Sequence, residues 1–583
     1  MKASVFKMLK MLVVAYKVDF KWAESSNHRT RGNQMLKRIT WATLLMLAVT
    51  TCGSKATATP PNDISSYESQ SISWDACPSG YFLPDNQLGK SFKKDKADCT
   101  FVTVPALYAG NQSLSDFKIA MMRQPATGPN KLGTLFINPG GPGESGIEEL
   151  QWPNFPAEVR KTYDIVGFDP RGVNHSAPVM GHQIKCNTKA GYESFWVGES
   201  SPENDKQYLK SLDRSDSFYR NCSKDNPNWW TLTTSNVVDD LELMRKVVAG
   251  NQPLDFLGSS YGTTIAAQYI TRYPDQVGHI ALDSPTTNDP AKPAARIAEA
   301  KALESNVLRL VRGYAKHKKI SVSAVKKLML EVRNWGDDNK LLGFAGMRVL
   351  DPVKQVHLSN EFMFTVGIFA MTYWDIPSVQ KYFNQGMDEV TNYRRNDTFE
   401  WYAMNYFGYD TDSLGGSTYN PDKIKRNNSY EILDIVNSMD LDPIDKTTRA
   451  QRERLYSQLD AASPFWNQLT ADPSNYWYKG KREGLSWTGL AKSDASIPNP
   501  PRKKPTRTNT SGKAVLVVGS KYESTTPFPF AVQTAKELRS PLVTFNGTVH
   551  APVVGFDNRC LNKIFINYFV HNKLPSGPVT CTK

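Results

Sequence analysis

Short apolar runs and stretches of helical periodicity alternate along the first half of this chain and again at its C-terminal end. The runs at 100–105, 116–122, 133–138, 163–169, 253–257, 278–283, 514–519 and 541–545 have the length and composition of strands. Several are almost uninterrupted Val, Ile, Leu and Phe, the pattern of a strand covered on both faces. Between them, 236–248, 264–270, 530–538 and 561–570 repeat apolar residues at helical spacing. This alternation predicts a mostly parallel sheet with helices on both faces. It stops after about residue 285. From 291 to 496 the pattern is helical and aromatic, with Trp374, Trp401, Trp466, Trp477 and Trp487 and few strand signals. A Pro-rich stretch at 497–505 closes it. We therefore expect a core at 76–290 and 506–583, interrupted at 291–505 by a large inserted helical cap.

The N-terminus sharpens this division. Met35-Leu36-Lys37-Arg38 is a short basic region, followed by an apolar run at 39–49 and then Thr50-Thr51-Cys52. The run is too short to span a bilayer but suits an export signal, with Met35 as the expected start. Residues 1–52 are thus read as a signal region and 53–75, polar and rich in Pro, Ser and Thr, as a tether. Val49-Thr50-Thr51-Cys52 resembles a bacterial lipobox, so Cys52 is a candidate for lipidation and membrane attachment, with ordinary cleavage nearby as the alternative. The chain has 7 cysteines in all. Beyond Cys52 they fall as the local pairs Cys77 and Cys99, Cys186 and Cys222, and Cys560 and Cys581. Such pairing fits disulfides in an oxidising compartment, although it is one connectivity among several.

Charge changes the picture little. A formal net charge of +13 could suit nucleic acid or an anionic membrane. The basic residues are dispersed, however, and the densest run, Arg502-Lys503-Lys504, lies in the Pro-rich stretch. No zinc-finger spacing, RNA-binding motif or phosphate-binding loop occurs, so no nucleic-acid partner is expected. Neither a metal nor another cofactor is called for.

The candidate chemistry sits at Gly258-Ser259-Ser260-Tyr261-Gly262, between a predicted strand and a predicted helix. That is the pattern of a nucleophile elbow, with Ser260 at its apex. A serine hydroxyl needs an adjacent base, itself oriented by a carboxylate, and on such a sheet both should follow later in the chain. Of 8 histidines, His550 directly follows the last long predicted strand. His175 precedes the serine, and His571 lies within or just after the final helix. Glu523 is the only carboxylate in the loop after 514–519, with Asp283 in reserve. Oxyanion donors are expected from the backbone of Tyr261 and of Gly140 and Gly141, in the Gly-rich loop after 133–138. Asp169 and Arg171 are expected to form a local ion pair.

Taken together, several motifs resemble those of the α/β-hydrolase serine peptidases of the proline iminopeptidase and tripeptidyl aminopeptidase branch, especially the exported tripeptidyl-aminopeptidase-like group. They are Asn138-Pro139-Gly140-Gly141-Pro142-Gly143-Glu144-Ser145-Gly146, Asp169-Pro170-Arg171-Gly172, Gly258-Ser259-Ser260-Tyr261-Gly262-Thr263, Leu282-Asp283, Thr526-Pro527, and the stretch from His550 through Cys560 to Leu574-Pro575 and Cys581. The resemblance covers roughly 77–290 and 510–583. It implies an α/β-hydrolase fold, a peptide substrate, and short N-terminal pieces released through an acyl-enzyme, with Ser260 as nucleophile and His550 as base. The family's acid stands three residues before its Thr-Pro, which here is Glu523, in place of the usual Asp and in a loop one residue longer. An aminopeptidase must also hold the substrate ammonium, for which Glu144, Asp375, Asp397, Glu400, Asp410 and Asp412 are available. A carboxylesterase or lipase with the same triad, and a non-catalytic exported binding protein, are the rival readings.

Overall fold

The computed structural model describes residues 64–109, 114–180, 183–184, 205–287, 292–337, 360–406, 428–440, 449–470, 508–509, 511–555 and 557–582. The expected signal region, Cys52, Cys186, Asp410, Asp412 and the Pro-rich closing stretch lie outside them.

Among the described residues the sheet has 11 strands: β1 (Asp75–Ala76), β2 (Asp98–Val104), β3 (Phe117–Gln124), β4 (Gly133–Asn138), β5 (Tyr163–Phe168), β6 (Ala177–Pro178), β7 (Leu254–Ser259), β8 (Val277–Asp283), β9 (Leu516–Ser520), β10 (Leu542–Phe545) and β11 (Val579–Cys581). Their order is β1-β2-β3-β5-β4-β7-β8-β9-β10-β11, with β6 on β3. From β5 onward every pairing is parallel, whereas β1, β2 and β3 run antiparallel. Every residue of β4 and β5 is buried, as their largely apolar pattern predicts. Alternation then sorts the side chains. Phe136, Val166, Phe256, Ile280 and Val517 join one apolar cluster. Leu135, Ile165, Leu257, Ala281 and Leu516 join the cluster on the opposite face.

Helices cover both faces. α1 (Asp205–Asp225), α2 (Thr234–Ala249) and α3 (Gly262–Arg272) precede the cap. The cap holds α4 (Pro293–Lys318), α5 (Val322–Asp337), α6 (Asn360–Met371), α7 (Ile376–Tyr393), α8 (Asp397–Tyr406), α9 (Ser429–Asp440), α10 (Arg449–Ala462) and α11 (Pro464–Thr470). After it come α12 (Phe528–Glu537) and α13 (Arg559–Phe569). No strand of the sheet falls within the cap among the described residues. Most cap helices share their own apolar cluster, centred on Leu310, Phe364, Phe383 and Phe399. Buried Glu304 of α4 accepts from Phe465 N (3.2 Å) and Trp466 N (2.8 Å), so a carboxylate satisfies the donors at the start of α11. Helix α9 departs from its neighbours. Its Ile432, Ile435, Val436 and Met439 belong to the core cluster instead.

Two sequence expectations need correction. Residues 64–75, read as the end of a tether, are bonded to the core. Tyr67 donates to Asp116 (2.8 Å), and the Gln70 amide exchanges hydrogen bonds with the backbone of Thr103 on β2. Polar composition marked this segment as solvated, but its polar groups complete a sheet edge. The second correction concerns Asp169 and Arg171, which do not pair. Arg171 is buried and bidentate to Asp240 of α2 (2.7 and 2.5 Å), and it also donates to the carbonyls of Pro105 and Ala106. A guanidinium can be desolvated at this cost only when its fork is filled, and Asp240 with two carbonyls fills it. Asp169 receives Ser145, Ile147 N and His175 N instead.

The Cys77–Cys99 and Cys560–Cys581 disulfides are formed. Cys222 is disulfide-bonded as well. Closing loops of separation 22 and 21 stabilises the fold by about 3 kcal/mol each on the chain-entropy account.

Candidate active site

The site is built where β7, β8, β9 and β10 end. Strand β7 runs into Ser260, whose φ of +54° places it in the left-handed region. The turn is possible because its flanking glycines touch other backbone. A Cβ on Gly258 would lie 2.5 Å from Gly262 O, and one on Gly262 would lie 2.6 Å from Asn138 O. Ser260 N donates to Asp283 O at the end of β8 (2.9 Å). Thr263 then bonds back to Ser260 O through both its backbone N–H and its hydroxyl, starting α3. A non-glycine residue at positive φ costs of order 1–3 kcal/mol and persists only where its surroundings over-determine it. These bonds are those surroundings.

The Gly-rich loop lies against this turn. Gly140 has φ +110°, and a Cβ there would stand 2.6 Å from Ser259 O and 2.7 Å from Tyr261 N. Any side chain at position 140 would therefore cover the Tyr261 N–H, one of the expected oxyanion donors. Gly141 also has positive φ (+97°). Gly143 makes room for the cap: a Cβ there would come within 2.3 Å of Ser429 O on α9. Asn428, just before α9, donates to Gly172 O and Ile184 O (2.7 Å each) and accepts from Asn174 N (2.8 Å).

Glu523 and His550 stand in the loops after β9 and β10. The two loops are laced together, with Lys521 N donating to Phe545 O (2.8 Å), Tyr522 N to Gly547 O (3.0 Å) and the Ser520 hydroxyl to Val549 O (2.6 Å). His550 Nδ1 faces Glu523 Oε2 at 3.5 Å, an electrostatic contact longer than a hydrogen bond, and Nδ1 has no hydrogen-bond partner. Apo catalytic sites commonly show such slack, which a bound substrate takes up. Glu523 is 2% exposed; its Oε2 accepts from Ser284 (2.7 Å) and its Oε1 from Thr526. Burial works against an imidazolium at His550. Glu523, and further out Asp283 and Glu144, outweigh it, so the histidine is held above its ordinary value.

The other sequence candidates fall into different places. Asp283, the reserve acid, accepts from Val553 N (2.8 Å) and so braces the backbone just after His550. His175 is stacked on Tyr81 at 3.8 Å, and burial depresses it to about 4. Among the cap acids, Asp375 accepts from Ser378 at the start of α7, Asp397 pairs with Arg395, and Glu400 is buried. Glu144 differs from all of these. Its side chain is exposed, yet desolvation raises its carboxyl, with His550 pulling weakly the other way. Glu148 is pushed up to about 7 by burial and by Asp169 and Glu144, and buried Glu149 is raised well above the ordinary value by burial and by Glu144.

One loop of the cap reaches His550 directly. Between α6 and α7, Tyr373 O accepts from His550 N (2.9 Å), the Ser524 hydroxyl donates to Thr372, and Ile376 N donates to Thr548 (2.9 Å). The Tyr373 ring meets the His550 ring edge-on at 5.5 Å. Sequence reasoning missed Ser284, Thr526 and this loop. Ser284 adjoins a quoted motif and Thr526 belongs to one, but a hydroxyl carries no local mark of its partner. Among the described residues no group of His, Cys, Asp and Glu is arranged to hold a metal.

Two family models match the chain. One, described as the alpha/beta hydrolase fold, covers 133–320, and the other, described as TAP-like protein, covers 486–581. Serine protease Hip1 of Mycobacterium tuberculosis is 27% identical over 79% of this chain and 83% of its own length. Tripeptidyl aminopeptidase of Streptomyces lividans is 34% identical over 36% of this chain and 38% of its own length. Carboxylesterase B of Mycobacterium tuberculosis is 25% identical over 87% of this chain and 89% of its own length. One model runs from β4 through α4 and the other begins near the end of the insertion, so together they take in the elbow and the loops after β9 and β10 and leave most of the cap unmatched: this chain has the α/β-hydrolase fold and is similar to serine peptidases built on it.

Proposed function

We propose that Ser260 is the nucleophile, His550 the general base and Glu523 the orienting acid of an exported aminopeptidase that releases short N-terminal pieces from peptides. The observation that carries the reading is the division of labour between two buried carboxylates: Glu523 faces His550 Nδ1, while Asp283 is turned to the backbone of Val553. His550 takes the Ser260 proton as Oγ bonds to the scissile carbonyl carbon, then gives it to the leaving amine as the C–N bond breaks. Water repeats the cycle on the acyl-enzyme and regenerates Ser260. Tyr261 N–H and the Gly140-Gly141 backbone receive the oxyanion, each donor being worth about 3 kcal/mol.

Glu144 supports the peptidase over the esterase. The Glu144 carboxyl is desolvated and acts on Glu148 and Glu149 as a like charge, so a substrate ammonium would be a favourable partner for it. Carboxylesterase B, similar over most of this chain, favours the second reading, an esterase with the same triad. Export is supported by the disulfides and by the apolar run at 39–49; lipidation at Cys52 belongs to the same proposal.

Purified protein assayed on tripeptidyl, dipeptidyl and prolyl amides and on short-chain esters separates the two. We expect amide cleavage that Ser260→Ala lowers by on the order of 10⁵- to 10⁶-fold. Glu144→Gln should raise KM for amides with a free amino terminus roughly tenfold or more while sparing esters, the loss of one charge-assisted bond. Cleavage of esters alone, or activity that survives Ser260→Ala, would refute the peptidase.

A further inference from the structure

Strand β8 contributes no member of the triad, yet its C-terminal end touches all three loops that do. Asp283 O accepts from Ser260 N (2.9 Å), and Asp283 Oδ2 accepts from Val553 N (2.8 Å). Ser284 N carries the ladder one step further to Val518 O (2.9 Å), and then the chain turns. The Ser284 hydroxyl is bonded on both sides, to Glu523 Oε2 at 2.7 Å and to Ala551 N at 3.0 Å.

The direction of these bonds is forced. An amide N–H can only donate, so the hydroxyl accepts from Ala551 and its single proton goes to Glu523. The oxygen that receives it is the one facing His550 Nδ1. Ser284 therefore holds the acid's working oxygen and, through Ala551, the backbone that carries the imidazole. Its own backbone points the same way. Ser284 has φ +53°, Ala551 has φ +51°, and Ser284 is fully buried. Glycine adopts that conformation freely, whereas a residue with a Cβ is strained there. With no solvent to reach, the hydroxyl's bonds are what the strained serine supplies and glycine would not.

We infer that Ser284 is a positioning residue of the catalytic site, setting the distance and angle between Glu523 and His550 without touching substrate. The inference rests on the Ser260, His550 and Glu523 reading. Its test is Ser284→Gly, which removes the hydroxyl and also relieves the backbone, with Ser284→Ala as a second hydroxyl deletion. The rate of Ser260 modification by a fluorophosphonate is measured per folded molecule, with folding followed by near-ultraviolet circular dichroism. This rate depends on the triad whether the natural substrate is an amide or an ester. Both variants should react roughly tenfold to a hundredfold more slowly, part of what a well-placed general base contributes. In a Glu523→Ala background the same substitutions should change the rate by less than about twofold, because Ser284 then has no acid to position. A wild-type rate in the folded variants overturns the inference, and so does an equal slowing in both backgrounds. A wild-type protein inert to the reagent overturns the Ser260 reading, and the inference with it.

Discussion

The rim of the sheet and the helical cap hold their residues by different means. At the rim, each site residue is fixed by hydrogen bonds from neighbouring strand ends: Ser260 from β8, Glu523 from Ser284 and Thr526, His550 through Ala551 and Val553. In the cap, helices α4 to α8 and α11 pack mainly on one another around Phe364, Phe383 and Phe399. They meet the site through the Thr372-Tyr373 loop and through Asn306 of α4, which donates to Tyr522 O. Helix α9 belongs to the cap by position but to the core by packing. The difference separates two jobs. Chemistry depends on atoms held by short, directed bonds between parallel strand ends. The cap is held instead by apolar packing, which tolerates variation as long as volume is kept.

The comparison can be broken most severely at the rim. Glu523→Gln should lower kcat by on the order of 10⁴-fold, the cost of losing the carboxylate that selects the imidazole tautomer. Asp283→Asn should cost about tenfold or less in kcat while lowering stability by about 1–3 kcal/mol, since it weakens one buried bond to Val553 N. Steady-state kinetics and urea unfolding of both variants check this, and the reverse ranking would exchange their roles.

A middle-sized effect belongs to the seam between rim and cap. Gly143→Ala places a Cβ 2.3 Å from Ser429 O at a φ of +103°. Melting should show a loss of roughly 1–3 kcal/mol. KM should rise more than kcat falls, because α9 moves and the triad does not. A kcat loss as large as that of Glu523→Gln would mean that the cap holds the chemistry too.

The smallest effect is electrostatic. His550 must be neutral to accept a proton, and its carboxylate neighbours stabilise the charged form. The acid limb of kcat/KM on an ester should therefore lie above about 6.5, the ordinary histidine value. Removing the charge at position 144 favours the neutral imidazole, so Glu144→Gln should move that limb to lower pH by less than about one unit. A shift upward would show that Glu144 does not act on His550 as a charge.

The elbow was legible because everything that defines it is local. Gly258 and Gly262 flank Ser260 so that strand and helix can fold back within a few residues, and the spacing records that need directly. The Gly-rich loop was legible for the same reason at Gly140 and Gly141. The pairing of Arg171 was not, because its partner Asp240 lies 69 residues away and the nearby Asp169 is the more obvious choice on proximity. Ser284 was invisible on the same grounds, since a serine ending a strand looks the same whether or not a carboxylate waits 239 residues on.

The amino-acid sequence alone determined the longer strands of the sheet, its mostly parallel character and the place of the serine, because apolar periodicity and glycine spacing act over short stretches of chain. Only the tertiary structure decided which buried carboxylate faces His550, where Arg171 spends its charge, and that α9 joins the core. Those outcomes depend on which strand ends and helix faces become neighbours, and a low-dielectric interior then leaves each buried polar group only the partners it can reach.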